Sequence, residues 1–214
     1  MKALLLQKPG EAVITTVADP RPGPGEVLLQ IRRVGLCGTD LNSFRGTNPM
    51  VSYPRVLGHE ISATILDMGA AGTGHPHLKA GVNVSISPYL PCGRCPACLR
   101  NRANACQFNQ TLGVMCDGAL SELFAIRAEK LYPANLNLEE LCLVEPLSVG
   151  FHAVARGRIT SEDAVAIWGC GGVGLGAIAA SGFRGARTIA IDVDDAKLAL
   201  ARKARRHPHD QYRT

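Results

Sequence analysis

Four cysteines stand in Cys92-Gly93-Arg94-Cys95-Pro96-Ala97-Cys98 and Cys106, all within fifteen residues. Thiolates at this spacing can close a tetrahedron around one Zn²⁺ with no ligand from elsewhere. Four such ligands leave no open position, so the metal would be structural rather than catalytic. It would hold together a lobe, residues 88–110, too short to build an apolar core of its own. Two disulfides from the same cysteines would need an oxidising compartment. Four unrelated buried cysteines would have no reason to keep the spacing.

The run Gly169-Cys170-Gly171-Gly172-Val173-Gly174 points to a different chemistry. A G-x-G-x-x-G string is a weak signal alone, but here it lies between an apolar run, Ala164–Trp168, and a helical pattern, Leu175–Phe183. Gly169 would allow the tight turn, Gly171 would let a pyrophosphate approach the backbone, and Gly174 would let helix and strand pack closely. Gly172 and Val173 complete the turn ahead of the helix, whose free N–H groups would face the phosphates. Asp192 ends the next apolar run, where a carboxylate can accept hydrogen bonds from both ribose hydroxyls. It would repel a 2′-phosphate, which favours NAD over NADP. The competing reading is glycines that serve packing alone and Asp192 as a helix cap.

A third set is dispersed: Cys37 in Gly35-Leu36-Cys37-Gly38-Thr39-Asp40, His59 and Glu60 after Gly58, and Glu145 before Pro146. A catalytic zinc takes three protein ligands and keeps one position open. Cys37, His59 and a carboxylate from Glu60 or Glu145 suit that role. Nothing in the residues alone forces them to converge, and such residues are more often ordinary core or surface positions. Cys116, Cys142 and Cys170 read as small buried apolar residues. His75 and His77, in a glycine-rich loop, read as solvated, and His152, at helical spacing from Glu145, reads as structural.

The elements that must position these residues change character along the chain. Up to about residue 130, short strands are punctuated by Gly and Pro: Val27–Ile31 after the turn Pro22-Gly23-Pro24-Gly25, then Ile61–Leu66, Val82–Ile86 and Leu120–Ile126. They suggest a β-barrel or sandwich. Thr39–Phe44 reads as one or two helical turns, and Asn137–Ala155 as a helix disturbed by Pro146. Ala164–Trp168 and Thr188–Asp192 read as strands buried on both faces, joined by a helix into one β-α-β unit of a parallel sheet.

Of the 214 residues, 46% are hydrophobic, enough for a core. The net charge of +5 belongs to the end of the chain, because Lys197, Arg202, Lys203, Arg205, Arg206 and Arg213 face only Asp210 after position 195. The rest is neutral, which argues against a nucleic-acid footprint. The apolar run at the N-terminus is too short for a signal peptide or a membrane span. A soluble cytoplasmic protein with reduced thiols is the expectation.

Taken together, Gly35–Asp40, Gly58-His59-Glu60, the four-cysteine spacing, Glu145-Pro146-Leu147-Ser148 and Gly169–Gly174 resemble, in order, the zinc-dependent medium-chain dehydrogenase/reductase family. Within it the chain is most similar to polyol, sugar-acid and threonine dehydrogenases. Cys37-Gly38-Thr39-Asp40-Leu41-Asn42 resembles enzymes that oxidise galactitol or L-galactonate, while Asn42, where threonine-type members carry histidine, speaks against an amino-acid substrate. The resemblance implies a mixed β and α/β fold. A GroES-like β-barrel catalytic domain would cover residues 1–150, and 151–214 would be the first β-α-β part of a Rossmann domain. It implies two Zn²⁺ per chain, one structural at Cys92, Cys95, Cys98 and Cys106, and one catalytic at Cys37, His59 and Glu60 or Glu145. It further implies oxidation of a secondary alcohol, either a polyol or a sugar acid, with Thr39 relaying the proton and NAD taking the hydride. A homodimer or homotetramer is implied for full-length members, with no nucleic-acid or membrane partner. The alternative function is a truncated, catalytically inactive zinc-binding protein.

The stretch after Ala204 has neither helical nor strand periodicity. One choice of codons for residues 205–213, shifted by one base, reads Gly-Ala-Thr-His-Thr-Ile-Asn-Thr, which resembles the family's continuation. An aberrant tail from about 205, produced by a frameshift, is the expectation.

Overall fold

The computed structural model, which describes residues 1–69 and 74–204, opens on an antiparallel hairpin of β1 (Lys2–Lys8) and β2 (Glu11–Thr16). The turn Pro22–Gly25 then delivers β3 (Glu26–Gly35), the longest strand, and the Gly23 N–H is held by the Glu26 carboxylate at 2.8 Å. After α1 (Gly38–Arg45) come β4 (Arg55–Val56), β5 (Glu60–Asp67) and β6 (Asn83–Ile86). Next are β7 (Tyr89–Leu90), α2 (Pro96–Leu99), β8 (Gln110–Thr111), β9 (Leu123–Arg127) and β10 (Leu131–Pro133). A 19-residue helix, α3 (Leu138–Arg156), leads into β11 (Ala164–Trp168), α4 (Gly172–Phe183), β12 (Arg187–Ile191) and α5 (Asp195–Ala204). The chain divides into two units, Met1–Glu145 and one that begins at Pro146.

In the first unit, antiparallel pairing gives a five-stranded sheet in the order β10-β6-β5-β3-β9 and a three-stranded sheet in the order β2-β1-β4. Period-two alternation puts Val27 and Leu29 of β3, Ile61, Ala63 and Ile65 of β5, and Val84 and Ile86 of β6 into one core, all at or near zero exposure. Burying each large aliphatic side chain among them contributes about 1.5–3 kcal/mol. The pairings among the described residues close neither sheet into a ring, and a short third pair, β7–β8, stands apart from both. β9 starts at Leu123 rather than Leu120, because the Leu120 N–H bonds to Leu57 O (2.9 Å) and its carbonyl accepts from Leu4 (2.8 Å).

The second unit contains a two-stranded parallel sheet, β11 beside β12, in register from Ala164↔Arg187 to Trp168↔Ile191. Its small core gathers Cys170, Ile178 and Ala201, with Ile167, Leu175, Ala190 and Leu198 packed against it. The expectation that both strands are buried on two faces is corrected: Trp168 is 87% and Ile189 47% exposed. Among the described residues helices cover one face of this pair, and an apolar run in sequence reports hydrophobicity, not how many layers cover it. α4 begins at Gly172, three residues before the apolar pattern, because glycines carry no periodicity.

Pro146 sits inside α3, where it has no N–H to offer the preceding turn. The start of this helix is fixed by reciprocal 2.9 Å bonds, Asn137 N–H to Glu140 and Glu140 N–H to Asn137 Oδ1, which form a capping box. No helix among the described residues is long and apolar enough to cross a membrane. The aberrant tail proposed from about 205, and residues 72 and 73 of the histidine loop, lie outside the described residues.

Candidate metal and dinucleotide sites

The antiparallel pair β7–β8, with Tyr89 opposite Thr111 and Leu90 opposite Gln110, closes the base of the cysteine lobe. Cys95 is the N-cap of α2, and Pro96 takes the first helical position, where its missing N–H costs nothing. The ligand atoms of Cys92, Cys95, Cys98 and Cys106 all lie within 4.8 Å of one another, and Cys95 Sγ is 3.5 Å from Cys98 Sγ and 3.9 Å from Cys106 Sγ. No cysteine is joined in a disulfide. Backbone N–H groups of Cys92 and Phe108 point at Cys106 Sγ, at 3.2 and 3.4 Å. The N–H groups of Cys98 and Gln107 draw the Cys95 thiol down to about 6. Burial and the thiols of Cys95 and Cys106 push Cys98 up to about 12. Sulfurs this crowded cannot all ionise unaided, but a divalent cation at their centre reverses that balance, so the donor set fits Zn²⁺.

The dispersed set converges because β3 and β5 are antiparallel neighbours. Gly35, the last residue of β3, pairs with Glu60, the first of β5. Cys37, just beyond one strand, and His59, just before the other, therefore meet at the same sheet end. The ligand atoms of Cys37, His59 and Glu60 lie within 4.8 Å of one another. The Glu60 side chain lies across Gly35, where any Cβ would collide with Glu60 Oε2. Gly35→Ala is therefore expected to push Glu60 out of the cluster. Metal affinity there should weaken by at least about tenfold while the lobe keeps its metal, and per-chain metal analysis under chelator competition checks this.

Asp40 organises the surroundings. Its carboxylate accepts from the Cys37 N–H at 2.9 Å, as the N3 residue of α1, and from the Gly58 N–H at 3.3 Å. One of its oxygens lies 3.7 Å from His59 Nδ1, a buried nitrogen with no hydrogen-bond partner. With Nδ1 turned toward Asp40, Nε2 is the nitrogen left for a metal. The hydrogen bond from His59 lowers the Cys37 pKa, which favours thiolate. Burial opposes charge on His59, but Cys37, Asp40 and Glu145 outweigh it and raise its pKa. Burial, with the charges of Glu145 and Asp40, raises Glu60. These opposing shifts mark groups that a cation would satisfy together. Thr39 Oγ1 is 3.7 Å from Cys37 Sγ.

Glu145 is not in the three-residue cluster, but it is buried close enough to be felt by His59 and Glu60, and its Oε1 accepts from the Tyr89 hydroxyl at 2.8 Å. Burial and that bond raise the Tyr89 pKa. Sequence reasoning missed both Tyr89 and the role of Asp40. Tyr89 lies on a two-residue strand without a period, whereas Asp40, three residues after a cap position, carries a usable signal. Cys142 is buried, and its thiol donates to the Glu60 carbonyl at 3.2 Å. Cys170 is buried and Cys116 half-buried. His152, expected to be structural, is exposed, as is His77, while His75 is half-buried.

In the second unit Gly169 turns at φ 94°, with its N–H on Ile191 O at 2.8 Å. The N-cap of α4 is Gly171, so no side chain occupies the free N–H groups of its first turn. That leaves them for an anion. Val173, half exposed, stands in this turn beside Gly172. Gly174 packs against the Gly169 carbonyl, where a Cβ would overlap the oxygen. Asp192 accepts from Cys170 N–H at 2.7 Å and from Asp194 N–H at 3.0 Å, and these bonds lower its pKa. Each oxygen keeps acceptor capacity after these bonds.

Residues 23–136 match the alcohol dehydrogenase GroES-like domain. The chain is 37% identical to L-galactonate-5-dehydrogenase of Escherichia coli strain K12 over 198 residues, 92% of this chain and 57% of the relative. It is 37% identical to sorbitol dehydrogenase of Bacillus subtilis strain 168 over 210 residues, 95% of this chain and 59% of the relative. Among solved structures, galactitol-1-phosphate dehydrogenase of Escherichia coli superposes with a TM-score of 0.86 at 31% identity, over 95% of this chain and 59% of that one. The alcohol dehydrogenase rspB of E. coli CFT073, complexed with NADH, gives 0.86 at 30%, over 95% and 60%. A zinc-binding dehydrogenase of Sinorhizobium meliloti 1021, bound to NADP, gives 0.87 at 29%, over 95% and 59%. The chain thus spans less than three fifths of the length of these two curated relatives. With the domain match covering more than half of it, the chain belongs to the zinc-type alcohol dehydrogenases with a GroES-like domain, the medium-chain dehydrogenase/reductase family.

Proposed function

We propose that the chain carries the catalytic metal site and the nucleotide turn of an NAD-dependent dehydrogenase that oxidises a secondary alcohol of polyol or sugar-acid type. The observation that carries this reading is the meeting of Cys37, His59 and Glu60 within 4.8 Å. A thiolate, an imidazole and a carboxylate are three ligands of the kind that leave a zinc one open position. Zn²⁺ there would supply Lewis acidity toward an alcohol oxygen, and NAD would supply the hydride acceptor. This chain's own residues would do the rest. Asp40 fixes the loop carrying Cys37 and, through Gly58, the backbone beside His59. The Thr39 hydroxyl stands beside the cluster to pass the alcohol proton outward. The uncapped start of α4 would take the pyrophosphate and Asp192 the adenosine ribose. Asp192 favours NAD over NADP, since a carboxylate repels a 2′-phosphate. The names of the sorbitol, L-galactonate and galactitol-1-phosphate enzymes support the substrate class.

Metal analysis tests the core of the proposal. The wild-type chain should hold two zinc ions, and Cys37→Ser one. One zinc in wild type, unchanged by Cys37→Ser, would overturn it. Trp168, the only tryptophan and 87% exposed, directly precedes the Gly169 turn. Its fluorescence should respond to NAD and less to NADP, and NADH should form with a polyol or sugar acid rather than with threonine.

A further inference from the structure

Tyr89 has no part in the ligand set, yet it stands between the Cys37 cluster and the base of the cysteine lobe. Its hydroxyl donates to Glu145 Oε1 at 2.8 Å, and the Cys37 sulfur is close enough to help raise its pKa. Its backbone belongs to β7, paired with Thr111 of β8 at the base of the four-cysteine lobe. The chain runs from Tyr89 to the first lobe cysteine in three residues, Leu90, Pro91 and Cys92. From Thr111 back to the last, Cys106, it runs through Phe108, whose N–H points at Cys106 Sγ at 3.4 Å. β7 and β8 are only two residues long, so the pairing has little strength of its own. One end is anchored on the main core by Leu90 and by the Pro88 carbonyl, which accepts from the Leu112 N–H at 3.0 Å, and the other end runs into the lobe.

We infer that Tyr89 is a positioning residue linking the two metal sites: the metal-closed lobe fixes β7, β7 fixes the phenol, and the phenol holds Glu145 beside Cys37, His59 and Glu60. Glu145 is 7% exposed, and its charge reaches His59 and Glu60. A shift of its carboxylate therefore changes the field around both groups at short range in a partly dehydrated site. Outer residues that hold a carboxylate at a metal centre commonly change affinity by 10–100-fold. Energetic coupling between two binding sites is reciprocal, so metal in the Cys37 cluster must also tighten metal in the lobe.

The inference rests on the proposed metal site, and the experiment separates the two. Tyr89→Phe keeps the ring and removes only the donated hydrogen bond. With Zn²⁺ in the lobe and Co²⁺ in the Cys37 cluster, Tyr89→Phe should weaken Co²⁺ binding about tenfold in chelator competition. It should also alter the visible Co²⁺ bands, while the lobe keeps its zinc. In wild type, lobe zinc should be held several-fold more tightly when the cluster carries Co²⁺ than when it is empty, and Tyr89→Phe should abolish that difference. Unchanged cobalt affinity and bands in Tyr89→Phe, or a lobe affinity indifferent to the cluster in wild type, would overturn the link. Failure of wild type to bind cobalt at the cluster would instead overturn the site itself.

Discussion

Replacing Cys95 with serine is expected to remove one zinc from each chain and to open residues 88–110 to protease, while the sheet core of the same unit survives. Cys95 is the most buried of the four thiols, at 4% exposure, and touches two of the other three sulfurs. It also caps α2, a single turn that contains no buried residue. Beyond the buried Pro88 and the half-buried Leu90 at its base, little apolar holds this lobe. Arg94, Leu99, Arg100, Arg102 and Phe108 are exposed, and the main core is assembled from β3, β5, β6, β9 and their neighbours outside it. Structural zinc in small finger modules contributes about 10–16 kcal/mol of apparent folding free energy at neutral pH. That matches or exceeds the ~5–15 kcal/mol that stabilises a whole domain, so no local packing can replace it. A serine hydroxyl does not ionise in this range and is a poor zinc ligand. Metal analysis should fall from two to one, limited proteolysis should cut within the lobe, and the fragments should retain the β3–β5 core. A variant that keeps both metals and resists cleavage would rule out a structural zinc.

How much of this could be seen in the residues alone varies from site to site. The clustering of the lobe's four sulfurs is legible, because Cys92, Cys95, Cys98 and Cys106 are close in sequence and their spacing sets their geometry. The glycine turn is nearly so, since Gly169, at positive φ, and Gly174, packed on the Gly169 carbonyl, each meet a local requirement set by one strand and one helix. The Cys37 cluster is different. What brings Cys37 to His59 is the pairing of Gly35 with Glu60, a long-range register that no local pattern encodes. Only the family resemblance anticipated that meeting. Tyr89 was invisible because a two-residue strand has no period, and its partner is remote in sequence. The opposite error, expecting β11 and β12 to be buried on both faces, arose because an apolar run does not say how many layers will cover it.

The other large effect is expected from the smallest change, Gly174→Ala. In a helix an alanine normally stabilises by up to about 1 kcal/mol over glycine. At this position the sign reverses, because the new Cβ would overlap the Gly169 carbonyl oxygen and lie 2.9 Å from its carbon. That obstacle is backbone, and it is already committed: the Gly169 N–H is bonded to Ile191, and the adjacent Cys170 N–H to Asp192. Neither can yield without breaking the turn, so α4 must lift from β11 instead. Overpacking of this kind costs about 1–3 kcal/mol or more. Among the described residues, the core cluster of the unit that starts at Pro146 is small, built on Cys170, Ile178 and Ala201, and has little room to absorb it. Hydrogen-exchange protection of α4 and β11 should therefore fall sharply, and the NAD dissociation constant read from Trp168 fluorescence should rise by at least about tenfold, the equivalent of about 1.4 kcal/mol. Both zinc ions should remain, since their ligands lie within Met1–Glu145. Gly172→Ala is the internal control. Its Cβ would meet nothing within 4 Å, so it should leave exchange protection of α4 unchanged or raised. Equal behaviour of the two alanine variants would mean that helix and strand do not approach as closely as Gly174 requires.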